Sequence, residues 1–103
     1  MQRVSAVILE RRFATPHPAA EGHFPGDPII PGAVLLSDTL SAIADYLGIV
    51  VDACEIKSAK FFRPVRPGET LRIEFSRAPG EIKFVCRVED YSVLSGQVLC
   101  AGW

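Results

Sequence analysis

Residues 32–47 read GAVLLSDTLSAIADYL and follow directly on Pro31. Leu36, Leu40, Ile43 and Leu47 recur at spacings of four, three and four, which is a helical stripe. Gly48 follows as a terminator of the kind that accepts left-handed backbone. Asp38 and Asp45 are the only charges in the segment, so the helix is predicted to be wrapped by other structure. A strongly twisted sheet is the natural wrapper.

Strands are legible on both sides of that helix. Residues 4–9 are apolar and β-branched, and Arg11 and Arg12 are expected to end this first strand. Residues 54–62, 70–75, 82–89 and 92–101 are each strand-like. Leu71, Ile73 and Phe75 alternate with Thr70, Arg72 and Glu74, and Phe84, Cys86 and Val88 alternate with Lys83, Val85 and Arg87. Pro67-Gly68, Pro79-Gly80 and Asp90-Tyr91 punctuate them as turns. Consecutive strands with links this short are predicted to be antiparallel. The order is strand, long loop, helix, four strands. That pattern predicts an α+β fold, with residues 1–103 as a single domain in which a curved antiparallel sheet wraps one central helix.

The bulk numbers narrow the function classes. Apolar residues make up 49% of the chain and charged residues 22%, which is enough apolar surface for a core and excludes disorder. The net charge of −1 and the lack of a basic tail or Cys/His finger spacing give no reason to expect nucleic acid. Charge is uneven locally: Lys57, Lys60, Arg63, Arg66 and Arg72 face only Glu69 in their stretch. This is either a solvated edge or a basic rim for an acidic partner. Cys54, Cys86 and Cys100 are odd in number, widely spaced and set in apolar runs, so they are expected to be core thiols rather than a disulfide frame or a zinc site. Arg11 and Arg12 interrupt the early apolar run, so no secretory leader is visible. No stretch approaches the roughly 18 apolar residues that cross a bilayer. The expected location is cytoplasmic.

The chemistry is expected in the loop before the helix. Residues 15–32 hold five prolines, which exclude a regular helix or central strand there. Long structured loops of this kind are commonly functional. Inside it, His23 stands between Gly22 and the Pro25-Gly26 pair, a frame able to aim an imidazole at a ligand. The alternative is that His23 merely ties the loop. Gly32 opens the helix, where backbone N–H groups have no intrahelical partner and the dipole favours negative charge. A thioester carbonyl placed there would be polarised, which eases loss of a proton from the adjacent carbon. Asp38 is the nearest helical carboxylate to act as an acid; its other reading is a solvated helix residue.

Residues 22–44, GHFPGDPIIPGAVLLSDTLSAIA, resemble the central motif of the 3-hydroxyacyl-acyl-carrier-protein dehydratases. Residues 60–71, KFFRPVRPGETL, resemble the second motif of the same family, and the two occur in the right order. Small relatives in specialised polyketide or aryl-polyene pathways are also similar. The resemblance implies a hotdog fold and active sites formed between two subunits. It implies His23 as the catalytic histidine and Gly32 as the glycine whose N–H holds the thioester carbonyl. The family's acidic residue lies fourteen positions after its histidine, and here that position is Ser37, with Asp38 beside it.

Three functions therefore stand open. The first is dehydration of a 3-hydroxyacyl thioester to a trans-2-enoyl thioester in fatty acid or polyketide biosynthesis, with Asp38 or a water on Ser37 assisting the departing hydroxyl. The second is a non-catalytic or accessory acyl-thioester-binding subunit. The third is an acyl thioesterase. None of them needs a cofactor or metal. Expected partners are an acyl carrier protein or coenzyme A thioester, docked by Lys60, Arg63 and Arg66, and a second subunit in a homodimer or in a heterodimer with a related chain.

Overall fold

The computed structural model describes residues 7–13, 29–50 and 54–100. Their elements run β1 (Val7–Arg12), α1 (Gly32–Leu47), β2 (Cys54–Phe61), β3 (Thr70–Ala78), β4 (Glu81–Val88) and β5 (Tyr91–Cys100). The five strands form one antiparallel sheet in the order β1-β3-β4-β5-β2. The expected element order therefore holds. The tight links of β3–β4 and β4–β5 do join neighbours, through Pro79-Gly80 with Gly80 at φ 75° and through Glu89-Asp90 with Glu89 at φ 54°.

β2 and β3 depart from the expected pairing of consecutive strands. β2 pairs with β5 and lies at one edge, while β3 pairs with β1. Residues 62–69 make the crossing, pinned where Ile30 N–H donates to the Val65 carbonyl at 2.7 Å and Gly68 N–H donates to the Phe13 carbonyl at 3.0 Å. The first strand also runs through Arg11 and Arg12 instead of stopping there, with Arg11 opposite Leu71 and Arg12 opposite Thr70. Both arginines are exposed on an edge strand, where charged side chains cost nothing in burial and discourage unwanted pairing.

The sheet buries one face by strict alternation. Leu71, Ile73 and Phe75 of β3 and Ile82, Phe84, Cys86 and Val88 of β4 point into the core. In β5 the adjacent Val93 and Leu94 are both buried, because the register with β4 shifts between Cys86 and Arg87. On the solvent face Arg87 donates to Glu74 at 2.8 Å.

Helix α1 closes that core. Its buried face is Leu35, Thr39, Ile43 and Ala44, with Leu36, Leu40 and Leu47 only partly covered. The expected stripe of Leu36, Leu40, Ile43 and Leu47 is thus rotated by about one residue. Thr39 is the reason: its hydroxyl donates to the Leu35 carbonyl at 2.8 Å and meets Cys86 Sγ at 3.5 Å, so a polar residue sits fully buried and satisfied. The helix ends as expected, on Gly48 at φ 72°.

The cysteine expectation needs a correction. Cys86 is a buried free thiol, but Cys54 and Cys100 are joined in a disulfide. They are 46 residues apart in sequence, and the β2–β5 register sets them directly opposite with Cα atoms 4.1 Å apart. Only that pairing reveals the bond.

Candidate active site

Gly32 is the first residue of α1, behind an N-cap Pro31 that supplies no side-chain hydrogen bond. Val34 and Leu35 both donate to the Pro31 carbonyl at 3.0 Å, so the N–H groups of Gly32 and Ala33 lie ahead of the first intrahelical bonds. No acidic side chain occupies the first turn. This helix start opens into a cavity of about 300 Å³ lined by Ile30, Gly32, Leu35, Phe61, Phe62 and Arg63 among others. The bridge between Ile30 and Val65 holds the helix entry against the β2–β3 link and so places Gly32 next to Phe61. The fit at Gly32 is close, since a Cβ there would stand 3.2 Å from Phe61 Cε1. Glycine thus lets the Phe61 ring approach the helix start closely.

A second cavity, of about 270 Å³, lies further along the same helix and strand. Leu40, Ile43, Ala44, Ile49, Cys54, Ile56, Ile82 and Val98 line it, without a charged side chain. The first cavity has the donor and a cation at its rim; the second is lined by uncharged, mostly aliphatic side chains.

The basic residues gather around the first cavity. Arg63 lines it and stacks on the Tyr91 ring, 4.5 Å from the centroid. Lys60 Nζ sits 5.3 Å from the ring centroid of Phe62, another lining residue. Arg66 lies in the same link, where its backbone N–H donates to the Glu69 carboxylate at 2.7 Å. Sequence reasoning named these three residues but missed Phe62 and Tyr91, which carry Lys60 and Arg63, and Phe61, which packs at Gly32. The FF pair inside residues 60–71 was the available signal.

Helix α1 is regular from end to end, so Ser37 and Asp38 stay about 100° apart. Ser37 is exposed and shares its flank with Leu40 and Ala44, which line the second cavity. Asp38 is half-buried on the other flank, in line with Val34 and Ala42. Neither is among the residues that line these two cavities. His23 lies outside the described residues, as does most of its loop.

An apolar helix clasped by a curved antiparallel sheet, with its N-terminus opening onto an apolar cavity, is the hotdog fold. Comparisons with known proteins give the same class. A family model described as ApeI-like, ApeI dehydratase, matches residues 2–97, and the chain belongs to that family. The 3-hydroxyacyl-acyl-carrier-protein dehydratase FabZ of Acetivibrio thermocellus is 36% identical over 94 residues, covering 79% of this chain and 64% of that protein. The chain thus spans less than two thirds of that relative's length. Among solved structures, the dehydratase heterocomplex ApeI:P from Xenorhabdus doucetiae matches with a TM-score of 0.72 at 20% identity, over 92% of this chain and 87% of that one. The (R)-hydratase from A. caviae matches with a TM-score of 0.68 at 17% identity, over 97% of both chains. Among the described residues no helix is long and apolar enough to cross a membrane.

Proposed function

We propose that this protein dehydrates a 3-hydroxyacyl thioester carried on an acyl carrier protein, giving the trans-2-enoyl thioester and water. The observation that carries the reading is the start of α1: a glycine N–H with no intrahelical partner at the wall of an apolar cavity with Arg63 at its rim. In this reading the thioester carbonyl accepts from Gly32 N–H, which stabilises the enolate formed when His23 removes the α proton. The β-hydroxyl leaves as water when the proton that His23 took is passed to it through a water held by Ser37. Ser37 holds the place fourteen residues after His23 that the family resemblance gives to the acid, with Asp38 about 100° further round the helix.

The chain acts as one hotdog domain in the cytoplasm, and as a dimer. Edge strand β2 is exposed almost throughout, and Ile56, Phe61 and Phe62 are each about half exposed on or beside it. A second copy pairing there would cover those side chains and supply the other wall of the site. Lys60, Arg63 and Arg66 form the docking rim for the acidic carrier protein. Reversing Lys60 and Arg66 to Glu is expected to raise KM for carrier-linked substrate about tenfold at low salt, and much less for a pantetheine-linked one. Equal effects on both substrates would remove the docking role.

Ser37 supports a second reading, an accessory acyl-binding subunit beside a complete relative. The solved relative described as a dehydratase heterocomplex is consistent with that arrangement. One assay separates the two. The purified chain and its His23→Ala variant are given a 3-hydroxyacyl thioester, and the enoyl product is followed by mass spectrometry. Product from the native chain, reduced about 10²–10⁴-fold in His23→Ala, is the expected result. A silent native chain that becomes active only with a partner subunit establishes the accessory role. Native activity untouched by His23→Ala overturns the mechanism.

A further inference from the structure

The disulfide partner Cys54 is also a wall of the second cavity, beside Leu40, Ile43, Ala44 and Ile56. We propose that the Cys54–Cys100 bond fixes the far end of the acyl-tail cavity, and that its reduction admits longer acyl chains. The proposal rests on reading the site as an acyl-thioester site and adds redox control of chain length to it.

The two cavities follow one another along α1 and β2. Gly32, Leu35 and Phe61 belong to the first; Leu40, Ala44, Ile56 and Cys54 belong to the second. At about 1.5 Å per residue the second begins roughly 12 Å along the helix from the Gly32 donor. A chain whose carbonyl rests at Gly32 therefore points its tail toward Cys54. The side chains that line it are aliphatic apart from Cys54 and none is charged, which suits hydrocarbon.

The end wall is held weakly apart from the disulfide. The β2–β5 ladder is irregular between Ile56 and Ser58, so only the pairs Cys54–Cys100, Glu55–Leu99 and Ile56–Val98 lie beyond the break. Three pairs beyond a break, at the end of the ladder, open more readily than the continuous stretch that follows. The covalent bond ties them down, and with them the side chains of Cys54 and Ile56.

The bond is placed to be reduced. Cys54 is half-buried, whereas Cys100 is buried. A thiolate from a small-molecule thiol or a protein dithiol attacks Cys54 Sγ, the S–S bond breaks, and Cys100 leaves as a thiolate and is protonated. A second thiol of the reductant then attacks the mixed disulfide and frees Cys54. Two electrons and two protons pass to the protein, and the reductant ends as a disulfide. In a reducing cytoplasm such a bond is transient, which is the setting in which a disulfide reports redox state. Cys86 plays no part: it is buried against Thr39, and burial pushes its thiol up to about 11, so it stays protonated.

The test uses unreactive acyl-pantetheine thioethers of increasing chain length, bound to the native chain in its oxidised and reduced forms and to a Cys54→Ser/Cys100→Ser variant. Short chains are expected to bind all three alike. Beyond a cut-off the oxidised chain gains nothing, while the reduced chain gains about tenfold for each two further methylenes. The double variant is expected to match the reduced chain whether or not oxidant is present. Alkylation under denaturing, non-reducing conditions is expected to label one cysteine in the oxidised form and three in the reduced form. Identical chain-length profiles in the two forms, a double variant that still responds to oxidant, or three labels in the oxidised sample would each overturn the proposal. Binding that ignores redox state defeats this proposal alone; no binding at any chain length defeats the acyl-thioester reading with it.

Discussion

At position 37 the helix presents a hydroxyl, and one residue further on it presents a carboxylate on the other flank. A hydroxyl can hold a water but does not donate a proton as a carboxylic acid does. Ser37→Glu is therefore expected to raise dehydration by about 10²–10⁴-fold, while Asp38→Asn leaves it near the native rate. Turnover of a 3-hydroxyacyl thioester by the two variants checks this. Loss of activity in Asp38→Asn, with no gain in Ser37→Glu, would return the acid role to Asp38. Cys86 gives a separate prediction at this scale. Its thiol stands at about 11 in the fold against 9.0 in the unfolded chain, because burial disfavours the thiolate. The folded state thus prefers the protonated form. That stability is complete below pH 9 and is lost as pH rises toward about 11, a change of roughly 2–3 kcal/mol. Urea unfolding across that range should show a steeper loss in the native chain than in Cys86→Ala, whose other titrating groups are the same.

Among the elements, β5 is an interior strand, paired on both sides as β3 and β4 are. Gly96 lies opposite Phe84 of β4 and Ala59 of β2. A Cβ at Gly96 would stand 2.8 Å from the Ser58 carbonyl oxygen and 2.9 Å from Phe84 Cε1. The buried Phe84 ring fills the space that the glycine leaves. Gly96→Ala is expected to cost about 1–3 kcal/mol, measured as a drop in unfolding free energy, with partial recovery when Phe84→Leu makes room. No loss of stability in Gly96→Ala would mean that the β4–β5–β2 packing is looser than described. The reason for this glycine lies in its partners across the sheet, which the chain itself does not display.

For the whole molecule, the exposed β2 edge is one of two unpaired sheet edges, β1 being the other. Light scattering at micromolar concentration is expected to give twice the 11.2 kDa chain mass, and Ile56→Lys is expected to shift the mass toward the monomer. A native mass of one chain would remove the shared-site reading. A dimer unaffected by Ile56→Lys would place the contact elsewhere.

Much of the architecture was legible before any coordinates. The bounds of α1, its stop at Gly48, and the alternation of β3 and β4 follow from local periods of 3.6 and 2.0 and from turn residues, which neighbouring residues encode by themselves. The family, too, could be read from the motifs at residues 22–44 and 60–71. Other features required long-range pairing. β2 lies beside β5 rather than β3, and only that choice joins Cys54 to Cys100 and leaves Ile56 and Phe61 uncovered. Thr39 became core because Cys86, 47 residues away, came within 3.5 Å of its hydroxyl. The flanks of Ser37 and Asp38 acquired meaning only once the cavities had a side. A sequence records the periodicity of each segment, but which edge meets which is decided by the free energy of packing the segments together, and the disulfide, the acyl-tail cavity and the exposed edge all depend on that choice.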